Sequence, residues 1–254
     1  MKGLEEQRNM SENIIEVRDL SKKFRNHHAV RNISFDLKRG EIKGILGANG
    51  AGKTTTITML LGLLTPTSGS IKILSTDISK DRYKILNKIN FSSPYVDLPK
   101  KLTVEQNLYV YGMLYGIKDI NKKIKSIANE LDFEKLLNVK AGELSSGQKT
   151  RVSLGKAVIN DPEILFLDEP TASLDPDTAD KVRTFFEKFC KKHNTAIILA
   201  SHNMEEVSRL CDNVIMMKDG KITDQGTPNG LLKKYGKIKL EDVFLKIARD
   251  KNNS

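Results

Sequence analysis

The sequence predicts an α/β protein, a core of buried strands interrupted by a helical insertion. Three observations carry this expectation. Ile42–Leu46 is an apolar run that leads into a glycine-rich loop, Gly47–Gly52, with helical character from Lys53 onward. A second apolar run, Ile164–Leu167, ends in two acids, Asp168 and Glu169. Between them, from Tyr83 to Asn160, the texture changes to Leu, Ile and Tyr at helical spacings.

The remaining elements follow in chain order. Ile14–Val17 and Ile33–Leu37 read as short strands, the second alternating before the turn at Lys38–Arg39–Gly40. The helix after the loop spans Lys53–Leu64 and is closed by Gly62 and Pro66. Ser70–Leu74 is a strand. Thr103 with Gln106 three residues later is a capping box, which starts a helix running through Tyr115. Strands return at Ile164–Leu167 and Ala196–Ala200. Val214–Lys218 and Lys221–Asp224 flank Asp219–Gly220, a two-residue hairpin turn. Leu240–Ala248 is a short amphipathic helix. No internal repeat or low-complexity segment is present.

Composition sets the class. The 254 residues are 39% hydrophobic and 29% charged, as in soluble globular chains. No apolar run approaches the roughly 20 residues that cross a bilayer. The opening MKGLEEQRNMSEN has no apolar stretch after its lysine, against a secretory signal. Two cysteines, Cys190 and Cys211, sit among apolar neighbours and read as reduced core residues rather than a disulfide framework. The net charge of +10 rests mostly on lysine, because only 10 of the 42 basic residues are arginine. Sequence-specific nucleic-acid sites favour the planar fork of arginine. The lysines are scattered or in short runs such as Asn121–Lys125 and read as a solvated surface, with anionic lipid or an acidic partner as the other readings. His27–His28 has no other ligand type nearby and does not read as a metal site.

Gly47–Thr55, GANGAGKTT, is a phosphate-binding loop: a glycine, four residues, then Gly52–Lys53–Thr54. Glycines let successive backbone N–H groups turn inward onto phosphate oxygens where a Cβ would obstruct. The helix from Lys53 aims its positive end at the same place. Lys53 neutralises β- and γ-phosphates and the Thr54 hydroxyl suits Mg²⁺. These residues predict binding of a nucleoside triphosphate.

Strand C-termini of open α/β sheets face the ligand crevice. Asp168 there suits Mg²⁺, directly or through water, and Glu169 suits the attacking water as base or acceptor. His202 follows the strand Ala196–Ala200 and is placed to reach a γ-phosphate. Leu144–Gln148, LSSGQ, has no role in a generic phosphate-loop enzyme. Its Ser–Ser–Gly opens a helix towards Ile159, a second helix start that favours an anion. One chain with two such surfaces points to a head-to-tail pair sharing nucleotide.

Together these motifs resemble the ATP-binding-cassette (ABC) ATPases, from about Ile14 to Gly230. Walker A is Gly47–Thr55 and Walker B is Ile164–Asp168, with Glu169 in the place of the family's catalytic glutamate. Leu144, Ser145, Ser146, Gly147 and Gln148 are close to the signature LSGGQ, with Ser146 replacing a glycine. Ala172–Ser173–Leu174–Asp175 matches the D-loop and His202 the switch histidine. Phe24 stands where the family stacks an aromatic residue on adenine. The resemblance implies a phosphate-loop NTPase core with an antiparallel β subdomain and a helical subdomain. It implies a polar leader at 1–12, core at 13–82 and 159–235, the helical subdomain at 83–158 and a tail helix at 236–254. It implies that Phe24, Asn49, Gly50, Ala51, Gly52, Lys53, Thr54 and Thr55 bind ATP, that Thr54 and Asp168 hold Mg²⁺, and that Lys53, Glu169 and His202 serve catalysis. The signature would act on the partner's nucleotide, with Ser173, Leu174 and Asp175 beside it.

One departure stands out. The family has a glutamine just after the strand matching Lys88–Phe91, contacting Mg²⁺ and the attacking water. Here the stretch is Phe91–Ser92–Ser93–Pro94–Tyr95, in which Ser92 or Ser93 would have to hold a water instead, and a slow ATPase is expected. The same loop and the helix bearing Tyr109, Tyr111 and Tyr115 adjoin the membrane partner in transporters, although packing is the plainer reading of the tyrosines.

The expected function is the energy-supplying subunit of a membrane transporter, paired with a second ABC ATPase subunit and with separate transmembrane permeases at the cytoplasmic face. A soluble ABC ATPase acting on ribosomes or nucleic acid is the alternative. Translation-type members carry two cassettes and DNA-repair heads a long coiled coil, neither of which this sequence has. A phosphate-loop kinase leaves LSSGQ, the D-loop and His202 unexplained. The stretch after Tyr235 resembles the short tail of exporter-type cassettes, and export is the expected direction.

Overall fold

The computed structural model describes residues 12–94 and 97–249. All but the last residue of the expected leader at 1–12, Tyr95 in the loop after Phe91, and the end of the tail lie outside the described residues. The strands are β1 Asn13–Phe24, β2 His27–Lys38, β3 Ile42–Gly47, β4 Ser68–Ile73, β5 Thr76–Asp77, β6 Ile89–Ser92, β7 Ile164–Asp168, β8 Ala196–Ala200, β9 Asn213–Lys218 and β10 Lys221–Gly226. The principal helices are α1 Lys53–Leu60, α2 Val104–Leu114, α3 Ile120–Glu130, α4 Ser146–Ala157, α5 Pro176–His193, α6 Met204–Leu210, α7 Pro228–Tyr235 and α8 Leu240–Arg249. The fold is mixed α/β, with an antiparallel sheet, a largely parallel one, and helices. Among the described residues no helix is long and apolar enough to cross a membrane.

The chain divides into two compact units, the first made of residues 1–86 and 196–254. It holds an antiparallel sheet ordered β2-β1-β4-β5. Ile15 pairs Leu37 and Val17 pairs Phe35, so that one face buries Ile15, Val17 and Leu37 completely. These strands are far longer than the expected Ile14–Val17 and Ile33–Leu37. The reason is a pair of register shifts in β1 on either side of Leu20, with Asp19 at φ 50°, which break the alternation that reveals a strand. The unit's other strands run in the order β10-β9-β3-β8, with β3 parallel to both neighbours. The β9–β10 hairpin turns at Asp219 (φ 50°) and Gly220 (φ 79°), as Asp–Gly does in a type I′ turn. α1 stops short of the expected Leu64, since Gly62 takes φ 68° and the amides of Leu63 and Leu64 fold back onto the Thr58 carbonyl. α8 buries Leu240 and Val243, which accounts for its apolar stripe by packing.

The second unit, residues 87–195, pairs β6 with β7 in parallel and surrounds them with α2, α3, α4 and α5. All five residues of β7 are buried. Side chains define the helix starts. Thr103 and Gln106 form the expected reciprocal box on α2. Asp175 caps α5 ahead of Pro176, which is favoured at a first helical position. α5 is amphipathic and buries Val182, Phe185, Phe186 and Phe189. Phe133 is buried against Gly155 of α4, where a Cβ would come within 2.7 Å of its ring.

Candidate functional site

The phosphate loop emerges from β3, where Ile45 and Leu46 are fully buried. Gly50 takes φ 82° and Gly52, which caps α1, takes φ 103°. A Cβ on Gly52 would lie 2.5 Å from the Ala29 carbonyl oxygen, so only glycine fits. The Ala51 amide donates to the Ala48 carbonyl at 3.1 Å and closes the turn. Lys53 Nζ donates to the carbonyls of Gly47 (2.6 Å) and Ala48 (3.2 Å), which holds the ammonium over the loop. Phe24, Asn49, Gly50, Gly52, Lys53, Thr54 and Thr55 line one groove. Ala51 does not line it, because its side chain is buried and only its backbone belongs to the loop. The sequence reading missed His27, which lines the same groove, and Lys22, whose ammonium sits 5.0 Å from the Phe24 ring centroid.

β8 lies parallel to β3, with Ala200 opposite Ile45, so His202 leaves the same sheet edge as the phosphate loop. The turn carrying it is fixed from both sides. Ser201 donates to the fully buried Glu206 at 2.6 Å, and Asn203 accepts from the amides of Glu205 and Glu206. Glu206 was not read as a site residue, since on sequence it is one more helical acid.

In the second unit, Asp168 ends β7 and Ser93 Oγ lies 3.5 Å from its Oδ2. Ser92 instead faces Ser153 at 3.1 Å and is buried. Of the two serines, then, Ser93 adjoins the acid. Glu169 has φ 51°, a left-handed conformation that a non-glycine residue adopts only where its surroundings impose it. That flip breaks the strand's alternation immediately after Asp168. In the LSSGQ stretch Leu144 is buried, and Ser145 caps α4 in a second reciprocal box. Its hydroxyl accepts from the Gln148 amide at 3.3 Å, and Gln148 Oε1 accepts from the Ser145 amide at 2.9 Å. Gly147 packs on the Ser173 carbonyl, 3.2 Å from where its Cβ would stand, and thus brings signature and D-loop together. Asp175 accepts from the Thr178 side chain and amide, which holds its carboxyl below the usual range.

Residues 30–172 match the family described as ABC transporter. Nod factor export ATP-binding protein I of Rhizobium sp. (strain N33) is 33% identical over 237 residues, which cover 92% of this chain and 78% of that protein. The chain belongs to the ABC transporter family. The bacitracin transport ATP-binding protein BcrA of Bacillus licheniformis is 35% identical over 231 residues, 90% of this chain and 74% of its own length. A solved structure described as the ATP-binding subunit of an ABC transporter superposes with a TM-score of 0.85 at 25% identity, covering 92% of this chain and 99% of that one. The protein is therefore an ABC ATPase, the ATP-binding subunit type of this family.

The cassette's residues fit their ligand. The turn at Gly52 is a cradle that a Cβ would fill, and the donors assigned to Mg²⁺, the Thr54 hydroxyl and the Asp168 carboxylate, are the hard oxygens that ion takes. Among the described residues no group of three or more His, Cys, Asp or Glu is placed to hold a metal ion. Cys190 and Cys211 are buried as expected, and burial pushes the Cys211 thiol well up.

Gly52→Ala tests the cradle without removing a charge or a hydrogen-bonding group. It is expected to weaken ATP binding on the order of a hundredfold, about 2.7 kcal/mol, in a titration calorimeter. The variant should still unfold cooperatively, and ATP binding at wild-type strength would contradict the role given to the loop.

Proposed function

We propose that this cassette powers an exporter by MgATP-driven closure of a head-to-tail pair of cassettes. What carries this reading is the signature helix start, Ser145–Gln148, packed with the D-loop at Ser173. A self-sufficient phosphate-loop ATPase has no use for such a surface, whereas a partner's γ-phosphate does. In the closed pair each ATP lies between one subunit's phosphate loop and the other's Ser145 and Gly147. Phe24 stacks on the adenine and the loop amides with Lys53 hold the phosphates. Thr54 and Asp168 would hold Mg²⁺, which would supply positive charge to neutralise the phosphates. Glu169 orients and deprotonates the attacking water, and His202 donates to the γ-phosphate. Loss of that phosphate removes the bridge between subunits. ATP drives closure only through its tighter binding to the closed state.

The core at 13–82 and 159–235 then serves the nucleotide, the helical subdomain at 83–158 the partner cassette and the membrane subunits, and in the tail at 236–254 the helix Leu240–Arg249 packs on α6 and α7. Separate transmembrane permeases would hold the cassette peripherally at the cytoplasmic face. Export is supported by the relatives, one named for Nod factor export and another for bacitracin transport. None of the relatives named above is described as acting on ribosomes or nucleic acid.

Two outcomes are expected. Tagged Glu169→Gln protein, which binds ATP without turning it over, should pull down a multi-span membrane protein in near-equal ratio from membranes solubilised with MgATP. Recovery of ribosomes, nucleic acid or soluble proteins alone would overturn the transport reading. Replacing the serine beside Asp168, Ser93→Gln, should raise ATP turnover by about tenfold, the scale of a positioned hydrogen bond to the reacting water. Unchanged turnover would remove this loop as the limiting part.

A further inference from the structure

Lys156 lies on α4 and is only 5% exposed, yet among the described residues it forms no ion pair. Its ammonium donates to the Phe91 carbonyl at 2.8 Å, and stands 4.7 Å from the Phe91 ring centroid and 5.7 Å from that of Tyr111. A cation so placed is costly, since one carbonyl and two ring faces replace a full hydration shell. Burial pulls its pKa down to about 8. An apolar side chain of the same length would fill this space at lower cost, so packing alone does not account for a lysine here.

The same two elements are joined at each neighbouring residue. Asn90 Nδ2 donates to Asn160 Oδ1 at 2.8 Å and to the Lys156 carbonyl at 3.4 Å. The Phe91 carbonyl takes the ammonium, and Ser92 shares a hydrogen bond with Ser153 at 3.1 Å. Three consecutive residues of β6 are thereby fastened to α4 and the turn after it. The next residue is Ser93, beside Asp168, and the other end of α4 carries Ser145–Gln148.

We propose that Lys156 is a positioning residue that fixes Phe91–Ser93 to the signature helix, so that Ser93 keeps its place beside Asp168 only while that helix is in place. This rests on the reading of the chain as an ATPase whose signature meets a partner's nucleotide. Lys156 touches no reacting atom. It acts through the Phe91 carbonyl and holds the loop that adjoins Walker B.

The test compares Lys156→Met, which keeps the length and removes the donor and the charge, with Lys156→Arg, which keeps both. Three quantities are read: steady-state MgATP hydrolysis, amide hydrogen exchange of residues 91–93, and the thermal midpoint. Lys156→Met should lower kcat by about tenfold with KM within about twofold of wild type. Exchange at 91–93 should quicken by at least about tenfold, with the thermal midpoint no lower than wild type. Lys156→Arg should restore kcat and exchange to within about threefold of wild type. Unchanged kcat and exchange in Lys156→Met would overturn the proposal. So would a lowered midpoint with faster exchange throughout the unit, which is the mark of mere structural support, or a failure of arginine to rescue. If the wild-type chain hydrolyses no ATP, the functional reading falls, and exchange at 91–93 alone decides whether Lys156 holds the loop.

Discussion

Between the buried strand β3 and α1 the chain must turn within a few residues. At Gly52 that turn leaves no room for a side chain. The φ of 103° and the Ala29 carbonyl 2.5 Å from any Cβ together demand glycine. The turn places Lys53 over the loop and Thr54 in the groove with Phe24. It also sets the use of the neighbouring strand, since β8 runs parallel to β3 and delivers His202 at the same edge. A phosphate-loop protein is organised by where its amides point, and the surrounding side chains act on whatever those amides hold.

The second unit applies a related economy at helix starts. Ser145 and Gln148 satisfy each other's backbone amides in a reciprocal box, as Thr103 and Gln106 do on α2. The two boxes are the same local device in different surroundings. At α2 the box starts a helix, whereas at α4 it starts one whose Gly147 lies against the Ser173 carbonyl. The left-handed backbone at Glu169 costs on the order of 1–3 kcal/mol and re-aims the chain directly after Asp168.

What was legible in the sequence was what local chemistry dictates. The phosphate loop, the acidic strand end, the Asp219–Gly220 hairpin and the Thr103–Gln106 capping box are short motifs whose residues have a local physical use. The long strands were not legible beyond Val17, because register shifts around Leu20 and the positive φ of Asp19 scramble their period. Lys156 and Glu206 were invisible for another reason. Charged residues at helical spacing read as solvated surface, and only three-dimensional packing shows that both are buried, one against Phe91 and the other on Ser201. The choice between Ser92 and Ser93 was likewise undecidable from type alone. The strand's pleat makes it, turning Ser92 towards Ser153 and leaving Ser93 to Asp168.

The account stands or falls on the pairing of two cassettes through nucleotide. Sedimentation velocity on Glu169→Gln protein, with and without MgATP, measures this directly. The predicted result is a monomer without nucleotide and a dimer with it, and the dimer should be lost when Ser145→Arg places a bulky cation at the signature. A monomer under saturating MgATP, or a dimer indifferent both to nucleotide and to Ser145, would contradict it.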